Sequence, residues 1–366
     1  MKDTSYILLL GGTGAMGANL VKVLEQQGGF YVVVTSRKKK QNAEKLEYRQ
    51  GNAHDLNWLL PILHERKWDA IVDFMIYTTE EFRFRVELLL DATKQYVYIS
   101  SARVYADTGD KLITEESPRL LDVCTDQEYL QTDEYALTKA RQEDLLIHNN
   151  RKNWTIIRPY ITFSDNRLQL GVMEKEDWLI PALNNRPIVF SKDIAEHFTT
   201  MTDGYAVAQS IAAILTNPNA TGEVFHIASG QSLKWSDILK WYLETIFAIK
   251  GEKPKVYYTE EWNPSFGGAL YQWKYDRLYN RSFDNSKICK YVSNEIFTST
   301  ELMIKEAISH FVRNYMPNIS DLDQGRELRR GALTGDYLPL SKTIGVKRKL
   351  KLIAYKIHIF KPLQKI

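Results

Sequence analysis

At 366 residues the chain is too long for one small domain and suits one large or two modest ones, and 44% hydrophobic with 25% charged residues excludes disorder, collagen-like sequence and coiled coil. Cys124 and Cys289 stand far apart with no C-x-x-C pair, which argues against a disulfide framework or a cysteine zinc site. The net charge of +3 hides a split: eight of the 48 basic residues and no acidic one fall from Lys342 to Lys365, and the other 40 face 45 acidic residues, leaving a body of about −5 that does not suit a nucleic-acid surface throughout.

The apolar run Ile7-Leu8-Leu9-Leu10 is too short for a signal-peptide core, and no run reaches the ~20 residues needed to span a bilayer, so a cytoplasmic protein is expected. Residues 6–10 read as a strand, followed by a glycine-rich turn and a helix over about 16–27. Further strands are expected at 31–35, 70–74, 97–100 and 155–158, with a helix from Tyr135 to about 147. Near-continuous apolar strands alternating with helices predict a parallel sheet covered on both faces. After Pro159 the pattern becomes irregular. A helix at 203–215 headed by Asp203 as a cap, a strand at 223–228, and helices at 235–248 and 299–314 follow.

The fold expected is therefore α/β: a Rossmann-type doubly wound parallel sheet with a smaller α/β C-terminal substrate lobe. The sheet domain would span 1–165 with 203–230 returning to it. The lobe would take 166–202 and 231–330, and a basic amphipathic tail 331–366. A cleft between the two is the natural ligand site.

Gly11-Gly12-Thr13-Gly14-Ala15-Met16-Gly17 sits between the first strand and the first helix. Glycines 11, 14 and 17 permit a tight turn, close approach to a pyrophosphate and tight helix packing, and the helix N-terminus offers N–H groups to phosphate. The second strand ends at Thr35-Ser36-Arg37, where an NAD site usually places an acid for the ribose 2′-hydroxyl. A guanidinium there suits a 2′-phosphate instead, so NADP(H) is favoured over NAD(H), and a solvated basic turn is the plainer reading. Tyr135 and Lys139, four apart, share one helix face. An adjacent ammonium draws a tyrosine pKa from about 10 toward neutrality, as an acid/base requires. Seven histidines show no ligand spacing, and no metal site is expected.

The glycine motif, Ser101-Ala102-Arg103-Val104-Tyr105, Tyr135-x-x-x-Lys139 and Arg158-Pro159, in this order, resemble the extended short-chain dehydrogenase/reductase superfamily of nucleotide-sugar epimerases, dehydratases and 4-ketoreductases. The resemblance covers about residues 5–315. It implies that Ser101 hydrogen-bonds the reacting oxygen, that Tyr135 is the acid/base, and that Lys139 holds the nicotinamide ribose. It also implies a cofactor lined by Gly11, Thr13, Gly14, Ala15, Met16, Gly17, Ser36 and Arg37. Gly51-Asn52-Ala53-His54-Asp55 resembles the family's G-D-x-x-D segment, which puts Asn52 and Ala53 beside the adenine. Met75, Ile76 and Tyr160 would lie along the dinucleotide.

Three departures matter. Ala102-Arg103 stands where sugar 4,6-dehydratases carry Asp-Glu, which disfavours dehydration. Glu196-His197-Phe198-Thr199 replaces the R-D-[FY]-[IV] segment that grips a diphosphate, and Ala106 replaces the usual Gly after Tyr105. The reading is an NAD(P)-dependent epimerase or 4-ketoreductase for a sugar or nucleotide-sugar. The alternative is a non-catalytic binding protein resembling the branch that includes the chloroplast stem-loop RNA-binding proteins.

In the tail, Val346, Leu350, Ile353, Ile357 and Phe360 recur on one helical face among lysines. Such a helix suits an anionic membrane surface, here through 342–365 at the inner membrane, or docking on its own body or a second subunit. The expected partners are a sugar substrate and a second copy in a homodimer, not nucleic acid.

Overall fold

The computed structural model describes residues 4–263, 270–297, 299–343, 345, 349–350 and 352–354. Seven strands form its main sheet: β1 (Ser5–Leu10), β2 (Phe30–Ser36), β3 (Leu46–Gln50), β4 (Ala70–Asp73), β5 (Tyr96–Ile99), β6 (Trp154–Pro159) and β7 (Glu223–Ile227). They lie in the spatial order β7-β6-β5-β4-β1-β2-β3, with every pairing parallel. This is the doubly wound Rossmann-like α/β arrangement expected from the alternation of strands and helices.

The central strands are largely apolar because both faces are covered. Ile7 and Leu9 of β1 join Val32, Val34, Val72, Val97 and Ile99 on one side, packed with Leu20 and Leu24 of α1 (Ala15–Gln27). Leu8 and Leu10 point the other way, into a cluster with Val33, Leu59, Ile71, Tyr96, Tyr98 and Ile156. Neighbouring residues thus alternate between two cores, as a strand's twofold period requires.

The described residues of Met1–Ser164, Thr200–Ser232 and Arg281–Thr300 form one unit; those of Asp165–Thr199, Leu233–Asn280 and Glu301–Ile366 form the other. The stretch Arg281–Thr300, which the sequence reading gave to the C-terminal lobe, thus groups with the sheet. Buried Arg281 explains part of this, because its guanidinium donates to the carbonyls of Ala106 and Tyr105, both at 3.1 Å.

The second unit pairs Ile188–Ser191 with Val256–Thr259 in parallel and Phe198–Thr199 with Leu233–Lys234 antiparallel. The boundary drawn at residue 330 falls inside the helix Gln324–Thr334, which ends only at left-handed Gly335. Within that unit, buried Arg186 and Arg330 both donate to Glu327, each at 2.8 Å. Of the tail face, Leu350 and Ile353 are exposed while Leu352, off that face, is buried. Val346, Ile357 and Phe360 lie outside the described residues, so the amphipathic pattern is an expectation there. Among the described residues no helix is long and apolar enough to cross a membrane.

Candidate active site

The sheet order reverses between β1 and β4, the place where doubly wound sheets hold their ligands at the carboxyl edge. The glycine segment occupies that edge. Gly11 follows β1 with φ +68°, and a Cβ there would lie 2.8 Å from Met75 Sδ, so the turn after β1 touches the segment after β4. Gly17 allows no side chain either, since a Cβ would meet Gly12 Cα at 2.6 Å and hold α1 away from the turn. Gly14 differs: a Cβ there would meet nothing within 4 Å and would only project into the open space before the helix. It is the N-cap of α1, with no side-chain cap and no acidic residue in the first turn. The uncapped N–H groups and the open approach fit the pyrophosphate of a nicotinamide dinucleotide. Gly14→Ala is therefore expected to leave the thermal midpoint unchanged and weaken dinucleotide binding roughly tenfold, the loss of about one charge-assisted contact. Differential scanning and calorimetric titration check this together; a lowered midpoint with unchanged affinity would contradict it.

The other expected cofactor residues lie on the same unit. Ser36 closes β2, its hydroxyl donating to the Lys38 carbonyl at 2.8 Å, and exposed Arg37 follows. Asn52 is exposed and accepts from His54 N at 3.2 Å, while Ala53 is buried. Thr13 is exposed, Ala15 and Met16 are half-buried in the first turn of α1, and Met75 is half-buried beside Gly11. Ile76 is 67% exposed. Tyr160 is fully buried after β6, its ring 5.2 Å from that of Phe283, and is therefore positioned less as an open surface than as core.

Ser101 stands just past β5 and opens a short turn, its Oγ accepting the Arg103 amide at 3.2 Å. Tyr135 opens the helix Tyr135–Ile147, here called α2, and is 36% exposed. Lys139, one turn on, is buried; its ammonium donates to the Ile99 carbonyl at 2.8 Å and lies 5.9 Å from the Tyr135 ring and 4.6 Å from that of Tyr98. Burial draws the Lys139 pKa down to about 8, against the opposing pull of Asp73 and Glu143. The structure thus brings Ser101, Tyr135 and Lys139 to one edge of the sheet.

Several buried groups beside them escaped the sequence reading. Asp73 ends β4, accepting Met75 N at 2.9 Å and the Tyr96 hydroxyl at 2.8 Å, and burial raises its pKa. Glu143 is wholly buried. It accepts two bonds from Arg158, each 2.8 Å, and one from Ser100 Oγ at 2.6 Å. Arg119 adds a contact to Glu143 at 3.3 Å, and Arg158 lies 4.8 Å from the Tyr105 ring. Beyond Tyr105, burial holds the His226 pKa down at about 4, so the ring is neutral, with Nε2 donating to the Asp284 carbonyl at 2.7 Å. A signal existed: Lys139, Gln142, Glu143 and Leu146 follow the spacing of a buried helix face, and three of the four are polar.

A family model described as the NAD dependent epimerase/dehydratase family matches residues 7–228. A comparison with curated proteins finds no match. Among solved structures, the chain is similar to dTDP-glucose 4,6-dehydratase from Bacillus anthracis in complex with NAD, at 16% identity and TM-score 0.65, covering 85% of this chain and 97% of that one. UDP-glucose 4-epimerase from Bifidobacterium longum, in complex with NAD+ and UDP, gives 16% identity and TM-score 0.63 over 85% and 99%. A short-chain dehydrogenase/reductase superfamily protein from Agrobacterium tumefaciens with bound NAD gives 18% identity and TM-score 0.60 over 84% and 97%. These likenesses show the shared fold. With the family match extending over more than half its length, the chain belongs to the NAD dependent epimerase/dehydratase family.

Proposed function

We propose that the chain is an NAD(P)-dependent epimerase or 4-ketoreductase acting on a sugar or nucleotide-sugar. The observation that carries this is the convergence of Ser101, Tyr135 and buried Lys139 at the sheet edge that holds the open glycine turn. When bound, the nicotinamide dinucleotide supplies or accepts the hydride. Tyr135 would move the proton of the reacting sugar hydroxyl or carbonyl, and its partial exposure leaves the phenol accessible to substrate. Ser101, its oxygen already accepting from Arg103 N, would direct its own hydrogen toward the reacting oxygen. Lys139 carries its charge beside the Tyr135 ring and favours the phenolate.

Elimination of water is not favoured, since the residues after Ser101 are Ala102 and Arg103. Glu134, the carboxylate that directly precedes Tyr135, is engaged by Arg103 Nη2 at 2.6 Å, Ala136 N at 2.8 Å and the Tyr129 hydroxyl at 3.2 Å. UDP and UDP-glucuronic acid in two solved structures of this fold support a nucleotide-sugar as the first substrates to assay.

Arg37, exposed just beyond β2, supports NADP(H) over NAD(H). Calorimetric titration with NADPH, NADP+, NADH and NAD+ tests the proposal, and binding of none would remove its basis. Arg37→Ala is expected to weaken the phosphorylated pair about tenfold or more while sparing the other, because one charge-assisted bidentate contact is lost. Equal weakening of both pairs would reject the 2′-phosphate role.

A further inference from the structure

We infer that Arg103 is a positioning residue for the acid/base, a second cation that holds the Tyr135 ring and favours its phenolate, kept in place by Glu134. The inference rests on the proposed role of Tyr135 and goes beyond the Ser101, Tyr135 and Lys139 set.

One residue touches both of the groups that would face substrate. The Arg103 backbone amide donates to Ser101 Oγ at 3.2 Å, and its guanidinium lies 5.3 Å from the centre of the Tyr135 ring. A short 3₁₀ turn, Ala102–Val104, makes this double reach possible, because it carries the chain back over Ser101 directly after β5. The side chain is held: Nη2 donates to Glu134 Oε1 at 2.6 Å, and both side chains are largely buried, at 14% and 16% exposure. Glu134 is itself fixed as the N-cap of α2, with its other oxygen accepting Ala136 N at 2.8 Å. The cap that starts the helix therefore also fixes the cation over its first residue.

Tyr135 is placed among charges of both signs. Lys139 lies below it on the same helix, Arg103 faces it from the turn after β5, and Glu134 precedes it. Tyr98 on β5 interacts with it electrostatically, and Asp73 on β4 acts on Lys139. Asp133 is turned away toward Thr79 at 2.8 Å and Arg141 at 3.3 Å. An arginine face is attracted to an aromatic ring and more strongly to its anion. Without Arg103, the Glu134 carboxylate would be left beside Tyr135 with less compensation, so removal would act twice in the same direction.

Ultraviolet titration of tyrosinate in the full chain tests this without any substrate. One tyrosine is expected to ionise ahead of the others, below the ordinary value of about 10. Tyr135→Phe should abolish that early component. Arg103→Gln should raise its midpoint by about one pH unit, a tenfold fall in the ionisation constant, and Arg103→Lys should restore part of it. The pair Arg103→Gln with Glu134→Gln should fall between Arg103→Gln and wild type. A role confined to folding would lower the thermal midpoint of Arg103→Gln without moving the early ionisation. That result, with the component still abolished by Tyr135→Phe, would overturn the inference and leave the acid/base reading intact. An early component absent from wild type would overturn the acid/base reading and this inference with it.

Discussion

Tyr135→Phe is expected to cut turnover roughly a hundred- to ten-thousandfold, the range spanned by a single positioned acid/base, while dinucleotide affinity stays within about twofold. Tyr135 is 36% exposed at the start of α2, a helix that Glu134 caps. The substitution therefore removes the proton carrier while keeping the ring and the helix cap. Lys139→Met should lose turnover and also cofactor affinity if Lys139 holds the ribose. Its own burial beside the Ile99 carbonyl makes some loss of stability expected as well, which is why Tyr135 is the cleaner probe. The measurement is turnover of a nucleotide-sugar panel with each cofactor, alongside calorimetric titration. Undiminished function in Tyr135→Phe would turn the reading to a non-catalytic binding protein built on the same fold.

Arg158→Met is expected to cost about 3–5 kcal/mol, the range for removing one partner from a buried ion pair. Glu143 has no exposed surface and receives two bonds from Arg158, one to each carboxylate oxygen, at 2.8 Å each. Ser100 Oγ and Arg119 would remain to it, yet neither supplies a second bidentate cation. A loss of that size is a large share of the ~5–15 kcal/mol that stabilises a typical domain. Pairing the change with Glu143→Leu removes the stranded charge and should recover much of the loss, because an apolar pair of similar volume often replaces a buried salt bridge at little cost. Guanidinium unfolding of the two single variants and the double variant gives the coupling directly. A loss below about 1 kcal/mol in Arg158→Met would show that Arg119 and Ser100 suffice.

How much could be read in advance depended on how local each feature is. The strands were legible because a sheet covered on both faces favours apolar side chains on both, and β1, β2 and β4 to β6 carry apolar runs for that reason. β3 was missed because it pairs only with β2 at the sheet edge, where Leu46 is its sole buried residue and Glu47, Tyr48 and Arg49 face outward in part. Asp203 was legible as a cap, and it accepts Tyr205 N at 3.0 Å and Ala206 N at 3.2 Å, bonds that span only two or three residues.

By itself, the sequence determined the features set by neighbours along the chain: strand period, the glycine turn opening a helix, the four-residue step from Tyr135 to Lys139, and the family pattern that links them. Only the tertiary structure decided which charges meet. Arg103 and Glu134 are 31 residues apart, and Ser100 and Glu143 are 43 apart. Likewise, the fold alone assigned Arg281–Thr300 to the sheet unit. The physical reason is that periodicity and capping act over one or two turns of backbone, whereas the electrostatics of a buried site depend on distances across the sheet that no local pattern encodes.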